Sequence, residues 1–394
     1  MQATNARDVQ PSFLGYVRAD GSVGVRNHLL VLSTGGMTGQ TARRIAAAIA
    51  GAVVVTLPYG GGLLGQDKDL HASAIHRFAT HPNVGGALLI GDNPEVMRAA
   101  LAAIAGSGRP HMGLTLDECG HDALTLTDRG LRAGAILAMR ISAERRTAVP
   151  VSVLGLGLEC GRSDPSSGLV ANPLLGLISD WLVDAGGRTM IGETMEWLGA
   201  EHLLASRART PKIAEAVGAA VVFREQMAVA AGIDLTGSNP TPTNIAAGLS
   251  SIEEKSLGNI AKSGSRPIEG VLDYGEPPGG SGVWTMDGAA YSPESVTGFV
   301  LAGAQMMLFT TGVGNSYVSA LCPTLKITAN PRTGSALHQQ IDFDASPVFS
   351  GAASLETSAE ALKACILAVA SGTTTWGEIL GEGDEVLSRF AAAL

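Results

Sequence analysis

The sequence predicts an α/β protein of two domains: an N-terminal open, mostly parallel sheet of βαβ units over residues 1–148, and a larger C-terminal α/β domain over 149–394 with long glycine/proline loops. Three observations predict this. From Asn27 onward, short apolar runs alternate with amphipathic stretches, the order expected of βαβ units. At 394 residues the chain exceeds what one hydrophobic core usually organises. Its 51 glycines, 45% hydrophobic and 16% charged residues suit Ala/Val/Leu elements joined by glycine turns.

In order along the chain, Leu29–Ser33 reads as a strand, Thr38–Ala50 as a helix stopped by Gly51, and Val53–Leu57 as the next strand. A helix over His71–Phe78, a strand over Ala87–Ile90, a helix over Pro94–Ala105 opened by its proline, and a strand over Met112–Leu116 follow. A long helix, Leu124–Arg145, closes the first domain. The polar run Arg145–Pro150 separates it from a fresh strand, Val151–Leu158. Asn172-Pro173 reads as a cap and first-turn pair before a helix over Leu174–Ala185. After the strand Arg188–Ile191, helices are predicted over Ala200–Arg207 and Pro211–Ala231, then one long loop over Ser238–Gly282.

A net charge of −9 and the lack of a Lys/Arg cluster exclude nucleic acid as a partner. Met1–Ser12 is polar, without the apolar stretch of a secretory signal, and no run reaches the length of a membrane helix. Four cysteines are too few for a disulfide framework at this size, so reduced thiols and a cytoplasmic location are expected.

One short string recurs, Glu118-Cys119-Gly120-His121 and Glu159-Cys160-Gly161-Arg162, each just after a predicted strand. In open α/β sheets ligands bind at the carboxyl ends of strands, so both thiols are candidates for one cleft. Cys119, His121 and Cys160, with nearby carboxylates, are the candidate metal ligands, although the spacing lacks the C-x-x-C pair of a zinc site. The loop from Glu159 to Gly168 packs a thiol, a cation, two carboxylates and three hydroxyls into ten positions. Glu193 follows its strand at the same edge and is a candidate base or ligand. Gly60-Gly61-Gly62 and Gly35-Gly36 fit no nucleotide-binding pattern.

Taken together, these segments resemble a known family. Gly15-Tyr16-Val17-Arg18 through Gly24-Val25-Arg26-Asn27, then Cys160-Gly161-Arg162-Ser163-Asp164 with Ser167-Gly168 and Ala171-Asn172-Pro173, follow the order of the UxaA-type family. So do Glu193-Thr194, Glu254-Lys255-Ser256-Leu257-Gly258, Phe309-Thr310-Thr311-Gly312 and Pro323-Thr324 with Lys326. That family comprises altronate and galactarate dehydratases and the large subunit of sulfolactate sulfo-lyase. The resemblance implies a lyase that performs β-elimination on a small hydroxy acid to give a 2-keto acid, with a divalent metal, iron or manganese. It implies Cys160, Ser163, Asp164, Glu193, Lys255 and Lys326 as catalytic residues, and Arg162, Ser167, Asn172, Asn244, Thr310 and Thr311 as substrate-binding residues. A separate small subunit and a homo-oligomer are the expected partners.

The departures are specific. Leu57-Pro58-Tyr59-Gly60-Gly61-Gly62 stands where the family carries His and Cys, and Gly91-Asp92-Asn93-Pro94-Glu95 replaces a G-C-E turn. Arg162 replaces the second glycine of C-G-G-S-D, Thr243 a loop glycine, and Val313 an arginine. A guanidinium in the signature loop favours a more anionic substrate or a different leaving group, sulfite in place of water. The lost thiol and imidazole positions point the other way, toward a binding subunit that keeps the fold without the chemistry.

Overall fold

The computed structural model describes residues 11–235 and 239–391. Most of the polar start at Met1–Ser12, and Ser238, lie outside them. The chain lays down β1 (Ser12–Val17), β2 (Val23–Gly24), β3 (His28–Ser33), β4 (Ala52–Thr56), β5 (Val84–Gly91), β6 (His111–Thr115) and β7 (Thr147–Pro150). It continues with β8 (Gly155–Cys160), β9 (Arg188–Ile191), β10 (Ile268–Leu272), β11 (Gly282–Met286), β12 (Met306–Thr310), β13 (Thr324–Thr328) and β14 (Phe343–Asp344). These strands form three sheets: a small antiparallel sheet β2-β1-β7, a parallel sheet β4-β3-β5-β6, and a parallel sheet β10-β11-β9-β8-β12-β13-β14.

The mixed α/β class is as the sequence predicts, and the alternation of elements explains it. Helices cover parallel strands that are buried on both faces, which is why β5 and β8 contain no exposed residue. The helix Pro94–Ala105 starts where predicted: the Asn93 side chain accepts from the N–H groups of Glu95 and Val96, and Pro94 needs no partner for its nitrogen. The two parallel sheets share one apolar cluster in which Leu30, Leu32 and Leu89 meet Phe299, Met307 and Phe309. Among the described residues no helix is long and apolar enough to cross a membrane.

Three expectations need correction. The predicted strand Val151–Leu158 is a 3-10 turn over Val151–Val153 followed by β8, which carries its apolar run two residues further, to Cys160. Asn172 does not cap its helix. A π-helical turn, Ser167–Ala171, precedes it, and Asn172 is already helical, its side chain turned across to other elements. The predicted loop over Ser238–Gly282 holds the helices Pro242–Ala246 and Ile252–Ala261 and strand β10. Its prolines and serines mark helix starts: Thr241 and Ser251 cap the two helices by accepting from Asn244 N–H and Glu254 N–H.

In the seven-stranded sheet, β9 leads off one side of β8 and β12 lies on the other. The chain direction therefore reverses around β8, and the crevice beyond the carboxyl ends of β8 and β9 is where such sheets take ligands.

Candidate active site

Cys160 is the last residue of β8 and pairs in register with Thr310 at the end of β12; Glu193 lies two residues beyond β9. The turn at Glu193 brings a carboxylate back over the sheet edge. It does so with Glu193 in the left-handed region, φ 64° and ψ 55°, a conformation that costs a non-glycine residue roughly 1–2 kcal/mol. Fixed neighbours hold it there. Trp197, fully buried, donates from Nε1 to Gly192 O at 2.9 Å, and Thr194 Oγ1 donates to Asp287 Oδ1 at 2.7 Å. One 3-10 turn later Glu196 points to the same place.

The helix Ile252–Ala261 supplies the other wall. Lys255 and Asn259 lie on one face of it, four residues apart, and Lys262 follows three residues on, just past its end, so all three reach the sheet edge. Lys262 Nζ donates to Glu193 Oε2 at 2.8 Å and to Cys160 Sγ at 3.3 Å. Asn259 Nδ2 donates to Glu193 Oε2 and to Glu196 Oε2, both at 3.0 Å. Lys255 Nζ lies 2.7 Å from Glu196 Oε1 and donates to Asn239 Oδ1 at 2.9 Å. The Cys160 thiol lies 3.5 Å from Glu193 Oε2 and 3.8 Å from Glu196 Oε2. The helix approaches this closely because Gly258 packs on Gly168: a Cβ on Gly258 would meet the Gly168 Cα at 3.1 Å.

The electrostatics separate the two carboxylates. Burial pushes Glu193 upward, but the Lys262 ammonium and the hydrogen bonds it receives outweigh that, so its pKa falls below the ordinary glutamate value and it is ionised. Glu196 goes the other way: burial and the neighbouring Glu193 charge raise it, despite Lys255. Burial and the Glu193 charge push Cys160 well up, which keeps it a thiol. Glu159, one residue earlier on β8, is raised well above its usual range by the same two causes. Its Oε2 accepts from Ser295 Oγ at 2.7 Å, and among the described residues its buried Oε1 has no hydrogen-bond partner.

A cavity of about 400 Å³ opens onto this group, lined by Cys160, Glu193, Glu196, Lys255 and the polar side chains of Arg162, Thr241, Thr243, Asn244, Ser292, Asn315 and Tyr317. Two larger hollows elsewhere on the surface have no cysteine in their lining. Arg162 is exposed, its backbone is left-handed at φ 54°, and among the described residues its guanidinium has no partner.

Of the residues singled out from the sequence, Cys160, Arg162, Glu193, Lys255 and Asn244 line this cavity. The other candidate catalytic and substrate-binding residues lie around it. Asp164 is committed to its own loop, its Oδ1 accepting from Ser166 Oγ, Ser167 N and Ser167 Oγ, and its Oδ2 from Asn330 Nδ2. The Ser163 carbonyl accepts from Asn244 Nδ2 at 3.0 Å. Asn172 accepts from Thr310 Oγ1 at 2.6 Å and donates to Gly258 O, tying β12 to the lysine-bearing helix. Thr311 Oγ1 accepts from Gly314 N. Lys326 lies behind the cavity with Nζ 3.5 Å from the centre of the Phe309 ring, donating to the Tyr317 carbonyl.

Cys119 and His121 are not brought to Cys160. Cys119 packs in the apolar cluster of the four-stranded sheet, and His121 is exposed beside Asp117. The metal-ligand-type group among the described residues is Cys160, Glu193 and Glu196, whose ligand atoms lie within 4.8 Å of one another. The inner oxygens of that group are already engaged by Lys262 and Asn259. A thiol and two carboxylates are donors compatible with a divalent metal, so Cys160, Glu193 and Glu196 are the residues that could hold one.

A buried thiol, two carboxylates with opposed pKa shifts and two lysines at a strand-end crevice define an acid–base enzyme on an α/β scaffold. The family profile described as D-galactarate/altronate dehydratase, C-terminal, matches residues 151–392, and that of D-galactarate dehydratase/altronate hydrolase, second domain, matches residues 15–137. The chain belongs to the D-galactarate/altronate dehydratase family, a family of lyases. It is 35% identical to the (2R)-sulfolactate sulfo-lyase subunit beta of Chromohalobacter salexigens, over 96% of this chain and 97% of that one. To the altronate dehydratase of Bacillus subtilis it is 31% identical over 85% of this chain and 69% of the relative. To the galactarate dehydratase (L-threo-forming) of Escherichia coli it is 28% identical over 76% of this chain and 58% of the relative.

Proposed function

We propose that this chain carries out β-elimination on a small hydroxylated carboxylic acid, releasing a 2-keto acid. One observation carries the reading: Glu193, held ionised, and Glu196, pushed toward its protonated form, lie on either side of one amide at the floor of a polar cavity. Opposed shifts in a carboxyl pair assign base and acid. Glu193 takes the proton from C2 of the substrate. The C2–H electron pair forms the C2–C3 double bond, the C3–O bond breaks, and Glu196 protonates the departing hydroxyl. The resulting enol takes a proton at C3 and becomes the 2-keto acid.

Lys255, at the cavity wall, balances the negative charge that develops on the substrate carboxylate as C2 is deprotonated. Thr243, exposed at the cavity, hydrogen-bonds a remaining hydroxyl, while Thr241 and Asn244 bond each other and fix that part of the wall. Asn259 keeps the two carboxylates in register, and Glu159 holds a proton next to the base. The test is a panel of aldonic, aldaric and sulfonated hydroxy acids offered to the purified protein, alone and with a small partner subunit, with 2-keto acid measured by a carbonyl reagent. Product from at least one acid is expected; none from any of them overturns the reading.

A second reading concerns the leaving group. Arg162 lines the cavity with its guanidinium unpaired among the described residues, and a relative that matches 96% of this chain is named a sulfo-lyase subunit. A guanidinium can hold a sulfonate through two donors. In this reading the C3–S bond breaks, sulfite leaves with the bonding pair, and no acid is needed at the leaving group. Sulfite detected with 2-keto acid in equal amounts supports it; 2-keto acid from hydroxylated substrates alone excludes it.

A further inference from the structure

We infer that Arg188, with Arg77 and His76 beside it, forms a binding site for a small oxyanion apart from the catalytic cavity. Arg188 opens β9, at the opposite end of the strand that leads to Glu193. It lines a hollow of about 440 Å³ between the last turns of the helix Gly65–Ala79 and the turn that follows the helix Ser292–Leu301. Four basic side chains, His76, Arg77, His81 and Arg188, line this hollow, and among the described residues no aspartate or glutamate does. In a chain with 36 acidic residues against 27 Lys and Arg, that lining runs against the composition.

Arg188 is the exception among the arginines withdrawn from solvent. Arg18, Arg26 and Arg109 each meet a carboxylate, from Glu144, Glu378 and Asp20. The half-buried Arg207 gives its donors to the Ser263 and Arg266 carbonyls and the Ser263 hydroxyl. Arg188, also half-buried, has neither: its Nε is buried without a hydrogen-bond partner, and among the described residues nothing accepts from the rest of the group. Gly155 leaves room for the side chain, since a Cβ there would meet Arg188 Nε at 2.9 Å. Burial lowers the pKa of Arg188 with no acidic neighbour acting the other way. A guanidinium nevertheless keeps its proton at working pH, so its charge needs a counter-ion from outside the chain.

The neighbouring donors suit the same ligand. Arg77 donates from Nε to Ser73 Oγ at 2.7 Å and from Nη1 to the Gly275 carbonyl, which leaves Nη2 unused. His76 is exposed, and its ring has no partner among the described residues. His81 offers nothing, because Nδ1 accepts from Asn83 N–H and Nε2 donates to the Ala304 carbonyl. A phosphate, sulfate or carboxylate group takes two parallel hydrogen bonds from one guanidinium. Held by Arg77 and Arg188 together, it joins a helix packed on the four-stranded sheet to a strand of the seven-stranded sheet.

Binding at Arg188 is independent of turnover and of the elimination reading. Purified protein in chloride buffer, at neutral pH and constant ionic strength, is titrated calorimetrically with inorganic phosphate, sulfate and malonate in turn, and its melting temperature is followed. At least one of the three is expected to bind once per chain with Kd under about 1 mM and to raise the melting temperature. Binding by phosphate or sulfate marks an inorganic oxyanion, and binding by malonate alone a carboxylate ligand. Arg188→Met is expected to weaken it at least about tenfold and Arg77→Gln at least about threefold, while Arg162→Gly, in the catalytic cavity, leaves it within about twofold. In chloride alone Arg188→Met melts no lower than wild type, because it removes an uncompensated charge and keeps the apolar stem. No Arg188-dependent binding of any of the three, or an Arg188→Met protein that melts well below wild type in chloride alone, overturns the inference.

Discussion

Lys262 Nζ lies 2.8 Å from Glu193 Oε2, and neither side chain is more than 2% exposed. Removing one member of such a pair strands a buried charge. Lys262→Met is expected to lose about 3–5 kcal/mol of stability, and Lys262→Met with Glu193→Gln to recover at least half of it. Urea unfolding of the two single variants and the double variant measures this. A single-variant loss under about 1 kcal/mol would mean that the pair is not ionised.

Glu196 separates the two leaving groups. If water leaves, Glu196→Gln removes the acid that protonates it, and kcat falls by about 10²–10⁴-fold. If sulfite leaves, the same substitution costs no more than about tenfold, from the disturbed Lys255 pair. Steady-state kinetics on hydroxylated and sulfonated substrates read the difference directly.

Arg162, in the cavity wall, combines a left-handed backbone with a guanidinium that has no partner among the described residues. Arg162→Gly is expected to keep or slightly raise the melting temperature, because glycine adopts φ 54° without the side-chain clash. It should also shift the ratio of kcat/KM between sulfonated and hydroxylated substrates by at least about tenfold, or 1.4 kcal/mol. A shift under about threefold removes Arg162 from substrate choice.

Lys326 gives a pH test. Burial, partly offset by Asp342, holds its pKa down to about 7. Below that pH its charge is present folded and unfolded, and its burial costs stability in full. As pH rises toward the ordinary lysine value, the folded chain releases the proton while the unfolded chain keeps it, so wild type gains stability relative to Lys326→Met. Urea midpoints at about pH 7 and about pH 9.5 measure the gain, and a difference flat across that window contradicts it.

The sequence carries the parallel α/β order because buried strands read as continuous apolar runs, and it carries Cys160, Glu193 and Lys255 because strand ends and the E-K-S-L-G string mark them. It does not announce Lys262. Between Ser238 and Gly282 the glycines and prolines read as a loop, while the helix Ile252–Ala261 inside it places Lys255, Asn259 and Lys262 at one edge. The 4-then-3 spacing of those residues was the available signal, together with Glu193 and Glu196 three apart on the facing turn. Asp164, Asn172 and Thr310 were legible as important, but not as struts, since their partners Asn330, Gly258 and one another come from distant parts of the chain. The echo at Cys119 misleads because a strand end fixes local geometry without saying which sheet the strand joins.

The central claim, that Glu193 is the base of an elimination, rests most directly on the turnover of Glu193→Gln. With a substrate that the wild type converts, 2-keto acid formation is followed for both proteins at neutral pH, with the folded fraction of each checked by circular dichroism. The account predicts a fall in kcat of about 10³-fold or more with KM little changed, because the amide binds but cannot take a proton. A folded Glu193→Gln protein that retains kcat within about threefold of wild type would contradict it.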